Sequence, residues 1–436
     1  MFESVQNIHA IGASGIGMSA AVKWLKARGK SVTESDLHLT GHAPENVVPE
    51  TQMVLYSSAV PEDNVERAEA RSRGIPEMSY AEFLGELTAL YSSIVVCGTN
   101  GKSTTTALLG LMLEAGGYDP TVIVGSLVPG FGMSNLRVGK GRFLVVEGCE
   151  YKGNILHLNP EMAVVTNIEE DHLDYFRDLA HIRETFQQFV DKLKGKGLCV
   201  WNADDPESRK LKIDRGVTFA MESEADYRGV DRVVEAGRQS VHIAGQKLPL
   251  QIPGAFNTMN ALAATAAAME LGVPFETCAR VAASFTGIWR RFERVGVWKG
   301  SDVISDYGHH PTAIRSTIEA AREFFPNRRI VHVFQPHQHS RTKTLLAEFI
   351  EALPAADHVI VPEIYKVVGR TEKEEKEVSS RDLVDGVKRT HPDKDIRYAA
   401  DLDAAESILR DIVQPTDVVI IQGAGDVDSL ARKLAV

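Results

Sequence analysis

The sequence predicts an α/β protein of three successive domains, each built on a parallel sheet. Three observations carry that expectation. Short apolar, β-branched runs alternate with helical stretches along the chain, the pattern of βαβ units. Two strand-to-helix turns are glycine loops: Gly12, Ala13, Ser14, Gly15, Ile16, Gly17, and then Gly98, Thr99, Asn100, Gly101, Lys102, Ser103. At 436 residues the chain is also too long for one ordinary domain.

The elements follow in order. In the first block, residues 1–90, a strand is expected over 8–11, a helix over 18–27 ended by Gly29, and a strand over 53–56. The second block, 91–289, opens with a β-branched strand at 93–97, a glycine loop and an apolar helix over 105–115. Strands at 143–146 and 162–166 follow, then an alanine-rich helix over 260–269 before Gly272 and Pro274. The third block, 290–436, has strands at 303–305, 330–334, 359–361 and 418–421 with helical patterns between them. Residues 366–378 are charged and poor in apolar side chains. They read as a mobile surface loop or, equally, as a solvated helix face.

Composition narrows the function. An apolar content of 44% with 25% charged residues is ordinary for a globular protein. The formal charge of −11 argues against nucleic acid as a partner, because neutralising phosphates needs clustered Lys and Arg. The four cysteines, Cys97, Cys149, Cys199 and Cys278, lack the paired spacing of zinc sites or disulfide frameworks. No stretch has the length and apolarity of a membrane span, and the N-terminus carries no basic, apolar leader. A cytoplasmic location without membrane attachment is expected.

The second glycine loop points to phosphate. Glycines let backbone N–H groups turn inward around phosphate oxygens, and the helix start adds partial positive charge. Lys102 would reach the terminal phosphates, and Ser103 would join a magnesium shell, with Thr104 next in the turn. The strict P-loop spacing is not met, since position 96 is Val. A polar turn with a chance lysine is the bland alternative. Glu147 ends one neighbouring strand, with Glu150 three residues on, and Asn167-Ile-Glu-Glu-Asp-His172 ends another. Acids and an imidazole at the C-terminal ends of parallel strands lie where open α/β sheets bind ligands. Glu147 suits magnesium; His172 is equally readable as a satisfied loop histidine.

Taken together in one order, GTNGKST, Glu147, TNIEEDH, PGAFNTMNALAA, WRRFE, DYGHHPT and FQPHQHSRT resemble the Mur ligases, across essentially the whole chain. The resemblance implies a Rossmann-like UDP-substrate domain (1–90), a P-loop ATPase domain (91–289) and a C-terminal dinucleotide-binding-like domain contacting amino acid and ATP (290–436). It implies an ATP- and Mg²⁺-dependent, ADP-forming ligase of cytoplasmic peptidoglycan precursor synthesis, a monomer or homodimer. The alanine-adding branch fits best, with UDP-N-acetylmuramate and L-alanine as substrates and an acyl phosphate as intermediate. By the same resemblance Lys102, Glu147, His172 and Arg291 are catalytic, and Ser103, Glu147 and His172 hold metal. ATP would also meet Asn257, Asn260, Arg291 and Asp306. Gly12, Ser14, Gly15, Ile16, Gly17, Asp36, Ser57 and Ser58 fall on the UDP-substrate side, and His337 and Arg341 on the amino-acid side.

The chain departs from the family pattern at four places. Phe256 stands where a histidine is common, and Gln338 where the alanine-adding branch commonly has a second arginine. GCEY replaces ADES after the Glu147 strand, and Gln187 replaces a carbamylated lysine that the alanine-adding branch also lacks. Glutamine cannot offer arginine's two-pronged grip on a carboxylate. A ligase adding the tripeptide L-Ala-γ-D-Glu-diaminopimelate to UDP-N-acetylmuramate therefore stays open, with a folylpolyglutamate-synthetase-like ligase more distant. The first glycine loop is ordered G-x-x-G-x-G, which argues against NAD. An idle nucleotide-binding module is disfavoured by intact Lys102, Glu147 and His172. Ser57 and Ser58 also read as a simple turn. His309 and His310 divide between ATP contacts and a capping role, and Cys149 is reactive only if its pKa is depressed.

Overall fold

The computed structural model describes every residue except Met1, His38, Leu173, Asp174, Lys194, Lys196, Ala236, residues 367–372 and Val436. Three sheets organise the chain. The first has four strands in the order Ser31–Ser35, Asn7–Ile11, Met53–Tyr56, Glu77–Ser79, all parallel. The second has ten, running Gln246–Leu250, Arg238–Ile243, Tyr227–Glu235, Gly216–Ala220, Leu198–Asn202, Met162–Val165, Ser92–Cys97, Phe143–Glu147, Thr121–Val128, Ser134–Arg137. The third orders Glu293–Trp298, Ser301–Asp306, Val418–Gln422, Ile330–Phe334, His358–Pro362 and Asp395–Ala399.

The sheets are parallel where it was expected and mixed at the edges. Ser134–Arg137 pairs antiparallel with Thr121–Val128, and Glu293–Trp298 antiparallel with Ser301–Asp306. The central strands are buried on both faces, as parallel strands under helices must be: Ile94, Val95, Val96 and Cys97 are at most 1% exposed. By contacts the chain forms two compact units. One comprises Met1–Arg232, Val241–Pro249 and Met259–Phe285, and the other Val233–Ser240, Leu250–Thr258 and Thr286–Val436.

Helix starts lie earlier than apolar periodicity alone suggests. The 18–27 helix begins at Ile16 and the 105–115 helix at Lys102, each entered from a glycine. The 260–269 helix extends over Ala255–Glu270. Polar and glycine residues at a helix start dilute the apolar stripe that the reading depends on. Of the charged stretch 366–378, residues 367–372 lie outside the described residues, and Lys373–Lys376 forms a 3₁₀ turn. No helix among the described residues is long and apolar enough to cross a membrane.

Candidate active site

The phosphate-type loop is fixed by the strand beside it. Thr99 N donates to Asn167 O at 2.9 Å, and Asn100 N to the Asn167 side chain at 2.8 Å. Glu169 N donates to Thr99 Oγ1 at 2.8 Å, and Thr166 Oγ1 to Asn100 O at 2.5 Å. Gly98 and Gly101 have φ of +133° and +84°. A Cβ would fall 2.1 Å from Thr166 Oγ1 in the first case and 2.1 Å from Asn260 Oδ1 in the second. Both positions therefore demand glycine twice over, by conformation and by space.

Helix Lys102–Ala115 begins with Lys102 and Ser103, the two residues expected to meet phosphate and metal. Lys102 Nζ donates to Gly98 O at 2.5 Å, to Thr99 O at 3.0 Å and to Glu150 Oε2 at 3.3 Å. Ser103 Oγ donates to Glu147 Oε1 at 3.0 Å, while Glu147 Oε2 accepts from Gly125 N at 2.7 Å. Gly125 lies in the Thr121–Val128 strand, next to Phe143–Glu147. Parallel pairing thus brings Glu147 to the loop. Burial would lower the Lys102 pKa, but Glu150, Cys149, Glu147 and Asp171 together hold it above its usual value.

The acids outnumber the cation. A triphosphate entering beside Lys102 would also meet Glu147, Glu150 and Asp171, a repulsion that accompanying divalent ions would relieve. Ser103 and Glu147 present oxygen donors 3.0 Å apart, the donor type magnesium prefers. His172, at φ +53°, packs against Tyr151 with ring centroids 4.5 Å apart and the ring planes tilted by 31°. Among the described residues no group of three or more His, Cys, Asp or Glu converges as a metal cage. The Cys149 thiol is pushed up to about 11 by desolvation and by Glu150, so it is not an activated nucleophile. Gln187 has a structural role, donating to Asp191 and to Lys212 O.

The N-terminal glycine loop is built the same way. Gly12, at φ +78°, donates to Ser35 O at 2.9 Å, and Ser14 N donates to Asp36 Oδ2 at 3.1 Å. The loop and the end of the second strand thereby form one turn, which Gly15 passes into helix Ile16–Ala27. Ser57 packs on Gly12, where a Cβ would come within 3.0 Å of it, and its hydroxyl accepts from Ala59 N at 3.3 Å. Ser57 thus serves both as loop neighbour and as turn residue; Ser58 is exposed. Beneath lies Glu66, fully buried, accepting from Ser35 Oγ at 2.6 Å, Asn46 Nδ2 at 2.5 Å and His42 Nδ1 at 3.0 Å.

In the second unit, Asp306 ends the Ser301–Asp306 strand and is well occupied. Its Oδ1 accepts from Gly308 N at 2.8 Å, Gln422 Nε2 at 2.9 Å and Thr317 Oγ1 at 3.3 Å; its Oδ2 accepts from Phe292 N at 2.9 Å. Gln422 in turn meets His332 Nε2 at 2.9 Å, and burial pulls the His332 pKa down to about 4, so this imidazole stays neutral. The adjacent arginines separate cleanly. Arg290 is buried and donates to Gly423 O and Gly425 O, whereas Arg291 is exposed with its guanidinium 4.9 Å from the Tyr307 ring. His309 packs edge-on to Tyr307 and His310 caps helix Pro311–Phe324. His337 stacks on Tyr365 at 5.5 Å; Gln338, at φ +71°, caps the short helix His339–Thr344 that carries Arg341. Asn257 donates to Pro253 O at 2.7 Å.

Two features escaped the sequence reading. The Gly423-Ala-Gly-Asp426 turn after Val418–Gln422 is a third glycine loop between strand and helix, and its spacing alone would have marked it. Glu150 was noted only for its spacing; its burial and its bond to Lys102 carry no sequence signature.

The comparisons agree with this geometry. Residues 7–92 match the Mur ligase family catalytic domain, 96–268 the Mur ligase middle domain, and 290–425 the Mur ligase glutamate ligase domain. The UDP-N-acetylmuramate–L-alanine ligase of Syntrophotalea carbinolica is 38% identical, spanning 100% of this chain and 98% of its own. The crystal structure of UDP-N-acetylmuramate-alanine ligase from Thermotoga maritima matches with a TM-score of 0.84 and 27% identity, over 98% of each chain. A murein peptide ligase from Psychrobacter arcticus shares the fold at a TM-score of 0.73 and 21% identity, covering 99% of this chain and 98% of its own. Three successive domain matches, a full-length relative and the loop geometry converge: the chain belongs to the Mur ligase family.

Proposed function

We propose that this chain joins L-alanine to UDP-N-acetylmuramate, using ATP and releasing ADP and phosphate. The observation that carries the reading is the Ser103–Glu147 contact at 3.0 Å, with Lys102 at the same helix start. The relatives with 38% identity along the whole chain support the same substrates. Residues 1–90 would hold the UDP-linked sugar through the Gly12–Gly17 turn, Asp36, Ser57 and Ser58. Residues 91–289 would hold ATP on Gly98–Thr104 and Asn260. Residues 290–436 would bring Arg291 and Asp306 to ATP, and His337 and Arg341 to the amino acid; Asn257 adds a nucleotide contact.

The reaction runs in two displacements. The lactyl carboxylate attacks the γ-phosphorus and ADP leaves, giving an acyl phosphate; the amine then attacks the acyl carbon, loses a proton, and phosphate leaves. A free carboxylate is a poor acylating agent, so the phosphoryl group supplies the leaving group that amide formation needs. Lys102 neutralises charge on the transferring phosphoryl oxygens, and the loop amides fix their position. Ser103 and Glu147 would hold Mg²⁺, with His172 joining them on the family resemblance; when bound, the ion would supply charge neutralisation at the phosphates. Asp306 Oδ1 accepts three bonds within its own unit and Oδ2 accepts only one, from Phe292 N, so Oδ2 would be the oxygen to take a ribose hydroxyl as well. Arg341 offers a fork for the amino-acid carboxylate.

The test is direct. With Mg-ATP and UDP-N-acetylmuramate, offer L-alanine, glycine, L-serine and the L-Ala-γ-D-Glu-diaminopimelate tripeptide separately, and follow phosphate release and product mass. L-alanine turnover is expected. Tripeptide turnover without L-alanine turnover would replace this reading by the tripeptide-adding one, which Gln338 favours by lacking an arginine fork.

A further inference from the structure

Tyr80 belongs to no motif in the sequence, yet its ring packs on the N-terminal glycine loop within electrostatic reach of Glu147. Ser79 caps the helix Tyr80–Ala89 through a reciprocal box with Glu82, which fixes Tyr80 as the first helical residue. Its ring lies on the N-terminal loop: a Cβ built on Gly17 would come 2.9 Å from Tyr80 Cε1 and 3.2 Å from its hydroxyl. One turn along, Gly85 rests on the backbone of His157, where a Cβ would approach the carbonyl oxygen to 2.7 Å. His157 ends the 3₁₀ stretch Tyr151–His157, which continues directly from Glu147 and Glu150.

The placement is held firmly. Asn135 on the Ser134–Arg137 strand donates to Ile16 O and to Ser19 Oγ, and receives Lys23 Nζ at 2.8 Å. The helix entered from the Gly12–Gly17 loop is thereby pinned to the sheet that carries Glu147. Desolvation, with the charges of Glu147 and Cys149, raises the Tyr80 pKa far above its usual value. The phenol is an uncharged O–H donor at any physiological pH. Among the described residues its hydroxyl makes no hydrogen bond.

These positions suit a particular need. A substrate carboxylate that must approach the phosphate loop would pass the carboxylates of Glu147 and Glu150. It requires a donor there, and a neutral one adds no charge for the metal and phosphates to compete with. We propose that the Tyr80 hydroxyl donates a hydrogen bond to the acid group of the sugar nucleotide, orienting it between the Gly12–Gly17 turn and the Ser103–Glu147 pair. The assignment rests on the substrate reading above and names the residue that would select for the acid-bearing sugar.

Tyr80→Phe keeps the ring on Gly17 and removes only the hydroxyl. In steady-state assays with L-alanine, the KM for UDP-N-acetylmuramate is expected to rise roughly tenfold, the loss of one hydrogen bond to a charged group. The KM for ATP should stay unchanged, as should inhibition by UDP alone, which lacks the acid. An unaltered KM for the sugar nucleotide in Tyr80→Phe overturns the proposal, and so does an equal loss of UDP inhibition, which would mark a general loop defect. Tyr80→Leu, which removes ring and hydroxyl, should weaken UDP inhibition as well; a Tyr80→Leu variant matching Tyr80→Phe in every constant would also count against the division of roles. If the wild-type protein turns over no UDP-N-acetylmuramate with any amine, the substrate reading itself fails, before Tyr80 is at issue.

Discussion

Lys102 and Glu150 form a buried pair whose energetics can be separated from its chemistry. Glu150 is 2% exposed in its side chain and Lys102 16%. Glu150 Oε1 has no partner among the described residues, so Lys102 at 3.3 Å is the carboxylate's main compensation. Removing one member of a buried pair costs ~3–5 kcal/mol. The long contact and the residual exposure of the lysine bring Lys102→Ala below that range, to about 2–3 kcal/mol. Glu150→Gln should cost less, ~1 kcal/mol, because the ammonium keeps the Gly98 and Thr99 carbonyls. In the double variant Lys102→Ala/Glu150→Gln no charge is stranded, so it should be more stable than Lys102→Ala alone, with a coupling of roughly 1–2 kcal/mol. Urea unfolding of the four proteins without nucleotide measures this. Activity must behave differently: both proteins lacking Lys102 should be inactive, the restored stability notwithstanding. Strictly additive stabilities, or full turnover by Lys102→Ala, would refute the reasoning.

Other perturbations test other parts. Burial alone would raise the Glu66 carboxyl, but hydrogen bonds from His9, Ser35, Asn46 and His42 hold it at about 2. The folded value lies below the unfolded one, so its stabilisation is full above about pH 4.5 and is lost as pH falls towards 2. Glu66→Gln, which turns an amide donor towards donors, should cost ~3 kcal/mol at pH 7. The gap to wild type should narrow steadily below pH 4 in acid-unfolding curves; a constant gap would contradict the assignment. Gly101→Ala puts a methyl 2.1 Å from Asn260 Oδ1 at φ +84°, and should abolish ATP binding in a fluorescent-nucleotide titration while lowering Tm. Cys149, with its thiol near 11, should alkylate at pH 8 roughly a hundredfold more slowly than a free cysteine, a rate read by mass spectrometry. Chelation of divalent ions should weaken ATP binding at least tenfold, because triphosphate and the acids around Lys102 repel each other without them; calorimetry with and without EDTA decides it.

The strands that position the loops were legible because parallel strands under helices are continuous apolar runs, as in residues 93–97, 330–334 and 418–421. The strands over 198–250 were not read. Tyr227–Glu235 has a single buried position among intermediate and exposed ones in a largely polar sequence, YRGVDRVVE, which offers no continuous run. The candidate site was legible where a residue type is forced by geometry, as at Gly98 and Gly101, or sits at a strand end, as Glu147 does. Tyr80 and Glu150 were invisible as functional residues because what distinguishes them is a contact across the sheet, between segments far apart in the chain. Between Arg290 and Arg291 adjacency gave no choice, whereas burial gives one. Arg290 is buried and donates to two carbonyls of the Gly423–Gly425 turn, whereas Arg291 is exposed.

The acid surplus at the phosphate loop explains why Lys102 is tied down at all. A lysine left reaching into solvent would bind stray anions and pay rotamer entropy when ATP arrived. Held by two loop carbonyls and Glu150, its ammonium already lies within the turn that would receive the phosphates on the reading proposed above. The same carboxylates that hold it make a bare triphosphate unwelcome, so charge alone favours a nucleotide that brings its own cations. On the ligase reading proposed above, the balance of Glu147, Glu150 and Asp171 against Lys102 would favour metal-bound over bare ATP.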